Sequence, residues 1–194
     1  MTFSGWSVKR VQRNDIKSFI ETYHYSGNIN GCISDYCYAL FDNDDNMMGA
    51  MFFGRLAMAN QWKKYSDNPD DVIELRRLVC LDESPRNSES FFIGKALRLL
   101  KKEWNGKIVV SYADPFHGHT GIVYKASNFK FVGKTSPARH IIDDTGKIYH
   151  DKATRTKYNG ELKPFAKILI EKLNTGMAKY VVTEGKMIYV YKLR

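Results

Sequence analysis

Val72 Ile73 Glu74 Leu75 Arg76 Arg77 Leu78 Val79 Cys80, the turn Asp82 Glu83 Ser84 Pro85, the segment Arg86 Asn87 Ser88 Glu89 Ser90, and Phe91 Phe92 Ile93 Gly94 Lys95 Ala96 Leu97 Arg98 Leu99 Leu100 Lys101 Lys102 Glu103 Trp104 together decide the fold. The first run reads as a strand. In the last, Phe92, Ala96, Leu99 and Leu100 recur at the steps of one helical face, with Lys95, Arg98, Lys101 and Lys102 on other faces. Ser88 is the expected cap of that helix, and the unpaired amides of its first turn, with Arg86 beside them, suit an anionic group. Lys107 to Ala113 follows as a mostly apolar central strand that ends at Asp114 Pro115. A polar loop, Phe116 His117 Gly118 His119, leads to a short helix, Thr120 to Ala126, and a strand through Phe131 Val132 Gly133. Strand, helix, strand, helix, strand is an α/β pattern. Ligands of open α/β sheets bind beyond the carboxyl ends of such strands, where Asp114 falls.

Outward from that unit, the chain of 194 residues suits one domain with a buried core. No apolar run reaches the roughly 20 residues that span a bilayer, and the first residues are no signal peptide, so the expectation is a cytoplasmic protein with no membrane partner. Cys32, Cys37 and Cys80 lack the paired spacing of a zinc site or a disulfide framework and read as reduced thiols. A net charge of +9 favours a polyanionic partner, with nucleic acid first.

Upstream, Val8 to Gln12 reads as a first strand, and Asn14 or Asp15 as the cap of a helix bearing Ile16, Phe19, Ile20 and Tyr23 on one face. That helix breaks at Ser26 Gly27, after His24 Tyr25. Gly31 to Phe41 and Met47 to Phe53 predict a hairpin around Asp42 Asn43 Asp44 Asp45 Asn46. Between Gly54 and Asp71 periodicity is lost, and Trp62, Lys63 and Lys64 fit either a DNA contact or a folded connection with Trp62 on the core. Downstream lies a second basic stretch with Lys134, Arg139, Lys152, Arg155 and Lys157, expected to contact phosphates. Ile141 Ile142 and Ile148 Tyr149 flank Asp143 Asp144 Thr145 Gly146 as a small hairpin. Lys163 to Leu173, with Pro164 near its start, predicts a helix, and Ala178 to Val182 with Met187 to Tyr191 predicts a terminal hairpin. The division expected is one domain over 1–194, with a core of about 7–135 and a hairpin, helix and hairpin elaboration over 136–194.

The mixed strands, the helix with an anion-ready start, and Ile122 Val123 Tyr124 Lys125 Ala126 Ser127 Asn128 Phe129 Lys130 Phe131 Val132 Gly133 resemble the acetyltransferase-like (GNAT) superfamily, with Asn128 where Gly is usual. A closer resemblance is to the Mom family of bacteriophage DNA-modification proteins. It is carried by His24 Tyr25, Glu74 to Val79, Pro85 to Ser90, Ser111 Tyr112 Ala113 Asp114 Pro115 with Gly118 His119, and Lys130 to Thr135. The resemblance implies a mixed, mostly antiparallel central sheet flanked by helices, an α+β arrangement with a basic carboxyl-terminal extension. It implies conversion of adenine in double-stranded DNA to an N6-carbamoylmethyl form, shielding phage DNA from host restriction in the host cytoplasm. It attaches iron most directly to Tyr25 and Asp114, with His24, His117 or His119 as further ligands, a donor set of imidazole and carboxylate that suits iron.

Adenine N6 is a poor nucleophile, and an enzyme acting on it extrudes the base and holds its edge with polar groups and aromatic faces. Tyr25, Tyr112 and Trp62 are candidates for stacking. His24, Tyr25, Asp114 and Ser90 are the expected catalytic residues, with Asp114 placed to accept the N6 proton. Arg86, Asn87, Ser88 and Gly94 are the expected cofactor contacts. The basic residue followed by Gly-x-Gly or Gly-x-Ala of acyl-coenzyme A enzymes is missing, which leaves acetyl-coenzyme A or a glycine-derived donor open. Two other readings stand beside this one: an acyl-coenzyme A-dependent N-acyltransferase on a small amine or protein, and a noncatalytic DNA-binding protein. Oligomeric state, a homodimer included, is left open.

Overall fold

The structure, a computed structural model, describes residues 3–194. In chain order the elements are β1 (Ser7–Val11), α1 (Arg13–Tyr23), β2 (Tyr36–Phe41), β3 (Met47–Gly54), β4 (Val72–Cys80), α2 (Ser88–Glu103), β5 (Ile108–Ala113), α3 (Ile122–Ala126) and β6 (Lys130–Lys134). They continue with β7 (Ala138–Asp143), β8 (Ile148–His150), β9 (Lys157–Tyr158), β10 (Glu161–Leu162), α4 (Pro164–Asn174), β11 (Ala178–Thr183) and β12 (Met187–Lys192). The chain divides into two compact units, residues 1–133 with 187–194, and residues 134–186.

The larger unit is built on a seven-stranded sheet of order β1-β2-β3-β4-β5-β12-β6. The pairs β1/β2, β2/β3, β3/β4 and β5/β12 are antiparallel, and β4/β5 is parallel. Alternation along the strands sorts side chains to the two faces. Tyr38, Leu40, Met51, Phe53, Ile73 and Leu75 share a core with Phe92, Ile93, Ala96, Leu97 and Leu100 of α2. Cys37, Ala39, Ala50 and Phe52 share another with Ile16 and Ile20 of α1. The apolar stripe expected on α2 is thus its buried face, widened by Ile93 and Leu97, while Leu99 is half-buried and Lys95, Arg98, Lys101 and Lys102 are exposed.

Both helix caps differ from expectation. Asn87, not Ser88, holds the cap position of α2, in the left-handed region at φ 71°, which Asn tolerates. Ser88 lies inside the helix, because the tight turn before it brings the Pro85 carbonyl within 2.6 Å of its hydroxyl, which donates there. At α1 the cap is Gln12, and Asp15 contributes from inside the first turn by accepting from the Gln12 N–H at 2.8 Å. The first arm of the hairpin is also shorter than expected, with β2 starting at Tyr36. The preceding loop is held by Arg13, whose guanidinium donates to the carbonyls of Cys32 and Ile29 and to the Ser34 hydroxyl.

The smaller unit has a three-stranded sheet of order β11-β7-β8, with α4 and the β9/β10 ribbon. Ile141 of β7, Leu169 of α4 and Ala178 of β11 form its core. The hairpin over Ile141 Ile142 and Ile148 Tyr149 forms as expected. The terminal hairpin does not. β11 pairs with β7, from Ala178 opposite Asp143 to Thr183 opposite Ala138, whereas β12 runs beside β5, from Met187 opposite Ala113 to Lys192 opposite Ile108. The cause is burial. Tyr189 of β12 is fully buried, while Tyr180 and Val182 of β11 are 47% and 71% exposed and offer no core to pair it with. At the link, the Thr135 carbonyl occupies the place a Cβ of residue 185 would take, which fixes glycine there.

Candidate active site

The β4/β5 ladder runs from Val72 opposite Ile108 to Leu75 opposite Ser111 and stops. On the other side of β4 the register against β3 shifts at this point, Phe52 facing Arg77 and Phe53 facing Leu75, so Arg76 is an extra residue on β4. A bulge of this kind bends the strand that carries it. Arg76 and Arg77 therefore sit where the two parallel strands part, and the carboxyl end of β5 delivers Asp114 to the mouth of the parting. Ser111 marks its inner end, its hydroxyl donating to the Leu75 carbonyl at 3.2 Å.

Asp114 is 5% exposed. Its Oδ1 accepts from the Phe116 N–H at 3.1 Å, and its carbonyl accepts from the N–H groups of His117 and His119 at 3.1 and 3.2 Å, a turn closed by Gly118 at φ 76°. Tyr25 lies on this turn. Its ring centroid is 4.4 Å from that of His117, 5.0 Å from that of His119 and 4.3 Å from that of His24. His24 ends α1, its N–H donating to the Ile20 carbonyl, and its Nδ1 meets the Ser26 hydroxyl at 2.9 Å. Burial lowers the His24 pKa to about 4, with the positive charge of Arg77 and the nearby His119 and His117 acting the same way, so this ring is neutral at neutral pH.

Four of the five residues expected at one site from distant parts of the chain, Tyr25, His24, His117 and His119, are thus in ring contact, and the fifth, Asp114, anchors the turn beneath them. Iron, which the family resemblance implies here, can be tested against this arrangement. Among the described residues no three His, Cys, Asp or Glu side chains are grouped to hold a metal ion. The rings of His24 and His117 lie tilted against Tyr25 at interplanar angles of 31° and 32°. As placed, the side chains form an aromatic cluster around Tyr25 that does not fit a metal held by three His, Cys, Asp or Glu ligands.

Arg77, Glu74, Gln61, Tyr65 and Tyr124 join the site without having been singled out by sequence. The Arg77 Nε is buried and finds no hydrogen-bond partner among the described residues, while its Nη1 donates to the Arg76 carbonyl. Buried donors are normally satisfied, so an unmet one beside a cleft marks a place for a ligand atom. Glu74, also buried, accepts from the Ala57 N–H at 3.2 Å and faces Arg76 Nη1 at 3.8 Å. The Tyr112 hydroxyl accepts from Gln61 at 2.5 Å and lies 3.5 Å from that of Tyr65, tying the turn Gln61–Lys64 to β5. Burial pushes the Tyr112 and Tyr124 hydroxyls well above their usual pKa. The signal for Arg77 was legible: with Glu74 and Arg76 it is one of three charges inside a strand whose other residues are apolar. Tyr124 carried no such mark.

The remaining expected residues lie elsewhere. Arg86 is exposed before α2, Asn87 caps it, and Ser90 donates to the Asn87 carbonyl at 3.0 Å. Ser90 and Gly94 line a groove of about 300 Å³ with Arg98, Lys101, Ser127 and Tyr191. Nothing lies within 4 Å of where a Cβ of Gly94 would stand, so the helix backbone is approachable there. Trp62 is half-buried, with the Lys63 ammonium 5.6 Å from its ring centroid, and Lys64 is exposed. In the smaller unit Lys134 pairs with Glu184 at 2.6 Å, Arg139 and Arg155 both approach Asp151, and Lys152 and Lys157 are exposed.

Residues 5–194 match the Mom protein family. The methylcarbamoylase Mom of Escherichia phage Mu is 30% identical over 157 residues, 77% of this chain and 58% of the length of that relative. In fold, the chain is similar to the spermidine N-acetyltransferase of Vibrio cholerae in complex with CoA and spermine, with a TM-score of 0.52 at 10% identity over 98% of this chain and 96% of that one. It is also similar to the GNAT family N-acetyltransferase YhbS of Escherichia coli in complex with CoA, with a TM-score of 0.51 at 10% identity over 97% and 82% of the two chains. The chain belongs to the Mom protein family, built on the acetyltransferase-like fold.

Proposed function

We propose that the chain is a DNA-modifying transferase that converts adenine in double-stranded DNA to an N6-carbamoylmethyl form and so protects phage DNA from host restriction. The observation that carries this reading is the meeting of Tyr25, from the end of α1, with the Asp114 turn at the mouth between β4 and β5. Support also comes from the phage Mu relative, whose own activity is a methylcarbamoylation. An extruded adenine needs an aromatic face and an acceptor for its N6–H. The exposed Tyr25 ring supplies the first and the Asp114 carboxylate the second. As the N6–C bond forms, one N6 proton passes to Asp114 and the donor's leaving group takes the electron pair of the bond that breaks. Neutral His24 holds the Tyr25 ring by its face, and the unmet Arg77 Nε offers a donor for negative charge on the departing group. The donor's own anionic part would find Arg98 and Lys101 in the groove beside Gly94.

The test is mass spectrometry of nucleosides from DNA of bacteria expressing the chain, beside Asp114→Asn. The expected result is a new adenosine heavier by one carbamoylmethyl group, absent with the variant. Unmodified DNA from cells holding folded protein would overturn the reading. The groove beside Gly94 favours a second reading, an acyl-coenzyme A-dependent N-acyltransferase, for which micromolar coenzyme A binding lost in Arg98→Ala is the corresponding test.

A further inference from the structure

The smaller unit carries eleven Lys and Arg against six Asp and Glu, a net +5 in 53 residues, more than half of the whole chain's +9. Much of that charge is arranged, not merely present. One carboxylate, Asp151, gathers Arg139 at 3.6 Å, Arg155 at 3.2 Å and the His150 ring at 2.8 Å. A single negative charge cannot neutralise two guanidiniums, so it fixes their positions and leaves a positive excess. Arg155 remains 67% exposed, with donors left for another partner. The Arg139 guanidinium in turn lies 4.5 Å above the ring of Tyr180, which is itself 47% exposed.

Between the turn Asp151–Arg155, α4 and β11 runs a groove of about 520 Å³. Its lining includes the apolar side chains of Ile170, Leu173 and Ala178 together with Arg155 and Tyr180, and the Arg139 guanidinium lies over the Tyr180 ring. Strand alternation puts Ala178 and Tyr180 on the sheet face that packs against α4. Apolar side chains beside two arginines and an exposed aromatic ring match a strand of sugar and phosphate: phosphates on the arginines, deoxyribose carbons on the apolar lining and the ring.

We propose that this groove is a docking site for the backbone of duplex DNA, with Arg155 and Arg139 on neighbouring phosphates, Tyr180 against a sugar, and Asp151 as the positioning residue that holds both arginines ready. The proposal rests on the reading that DNA is the substrate and adds the surface that grips it. Arg155 is pre-ordered for a planar, forked contact to phosphate that a free lysine would have to assemble on binding.

The experiment measures binding of the full chain to a fluorescent duplex across a salt series, for wild type, Arg155→Gln/Arg139→Gln, Tyr180→Ala, Asp151→Asn and, as a control in the larger unit, the exposed Lys17→Gln. Circular dichroism melting confirms that each variant is folded. The double variant is expected to flatten the slope of log affinity against log salt by about 2, at about 0.9 per lost phosphate contact. Tyr180→Ala is expected to weaken binding about fivefold with the slope unchanged, because a sugar contact releases no counterion. Asp151→Asn separates positioning from charge: it makes the surface more positive, yet a positioning role predicts weaker binding, whereas a merely adverse carboxylate predicts stronger binding. A double variant with wild-type affinity and slope overturns the proposal. Nucleosides from cells expressing wild type are read in parallel. Intact modification with unchanged binding in the double variant removes only this groove, whereas unmodified DNA with binding lost in the double variant removes only the transferase reading.

Discussion

The two compact units handle charge in opposite ways. In the larger one, ionisable groups are drawn to the parting of two parallel strands and kept from water: Asp114 and Glu74 are buried, His24 is held neutral, and an Arg77 nitrogen has no hydrogen-bond partner among the described residues. In the smaller one, cations gather at the surface, where Arg139 and Arg155, their side chains 54% and 67% exposed, share Asp151. Burial sharpens the energetic difference between protonation states and so suits chemistry. Exposure leaves charge open to a large partner and sensitive to salt, and so suits the grip on a polyanion. How much water surrounds them thus decides whether the same residue types suit catalysis or binding.

The comparison breaks most sharply at Asp114. Asp114→Asn keeps an acceptor for the Phe116 N–H, so the turn survives while the charge is lost. Formation of modified adenosine should fall by about 10²- to 10⁴-fold with duplex binding unchanged, as nucleoside mass spectrometry and fluorescence binding would report. If activity stays within a few-fold of wild type, the buried carboxylate is structural only. Phe92→Ala should come next. Phe92 is fully buried under the larger sheet, and truncation should destabilise the chain by about 3–5 kcal/mol in urea unfolding, with the smaller unit's amide protection less affected. Equal loss of protection in both would show that the units unfold as one.

Arg13→Ala removes the three hydrogen bonds that hold the loop after His24 and Tyr25. Turnover should fall by up to about 10²-fold through misplacement of Tyr25, while stability drops by only about 1–3 kcal/mol. A melting loss without any change in turnover would detach this loop from the site. The smallest effect belongs to pH in the other unit. Hydrogen bonds from the Thr145 hydroxyl, the Lys147 N–H and Lys172 hold the Asp143 carboxyl below the usual carboxylate range. The stabilisation is therefore complete above the unfolded value of 3.8 and lost as pH falls below it. The protection factors of β7 and β8 amides, each rate taken relative to its intrinsic value at the same pH, should fall on acidification below that value in wild type. In Asp143→Asn they should already be lower at neutral pH and change less.

Sequence alone determined the local elements whose signals are periodic. The stripe of α2, the apolar run of β5 with Asp114 at its end, and the turn between Ile142 and Ile148 are set by spacing and by short-range turn chemistry, and each appears where its residues predict. Tertiary structure decided the pairings. Gly185 between two strand-like runs reads as a hairpin, and only the demand of Tyr189 for a buried position sends β12 to β5. Likewise His24 and Tyr25 lie some ninety residues before Asp114, and no local pattern records that the bulge at Arg76 opens the sheet where both arrive. Periodicity reports which face of an element meets a core. Which core it meets, and what is left unpaired at the seam, depends on long-range burial that no window of sequence contains.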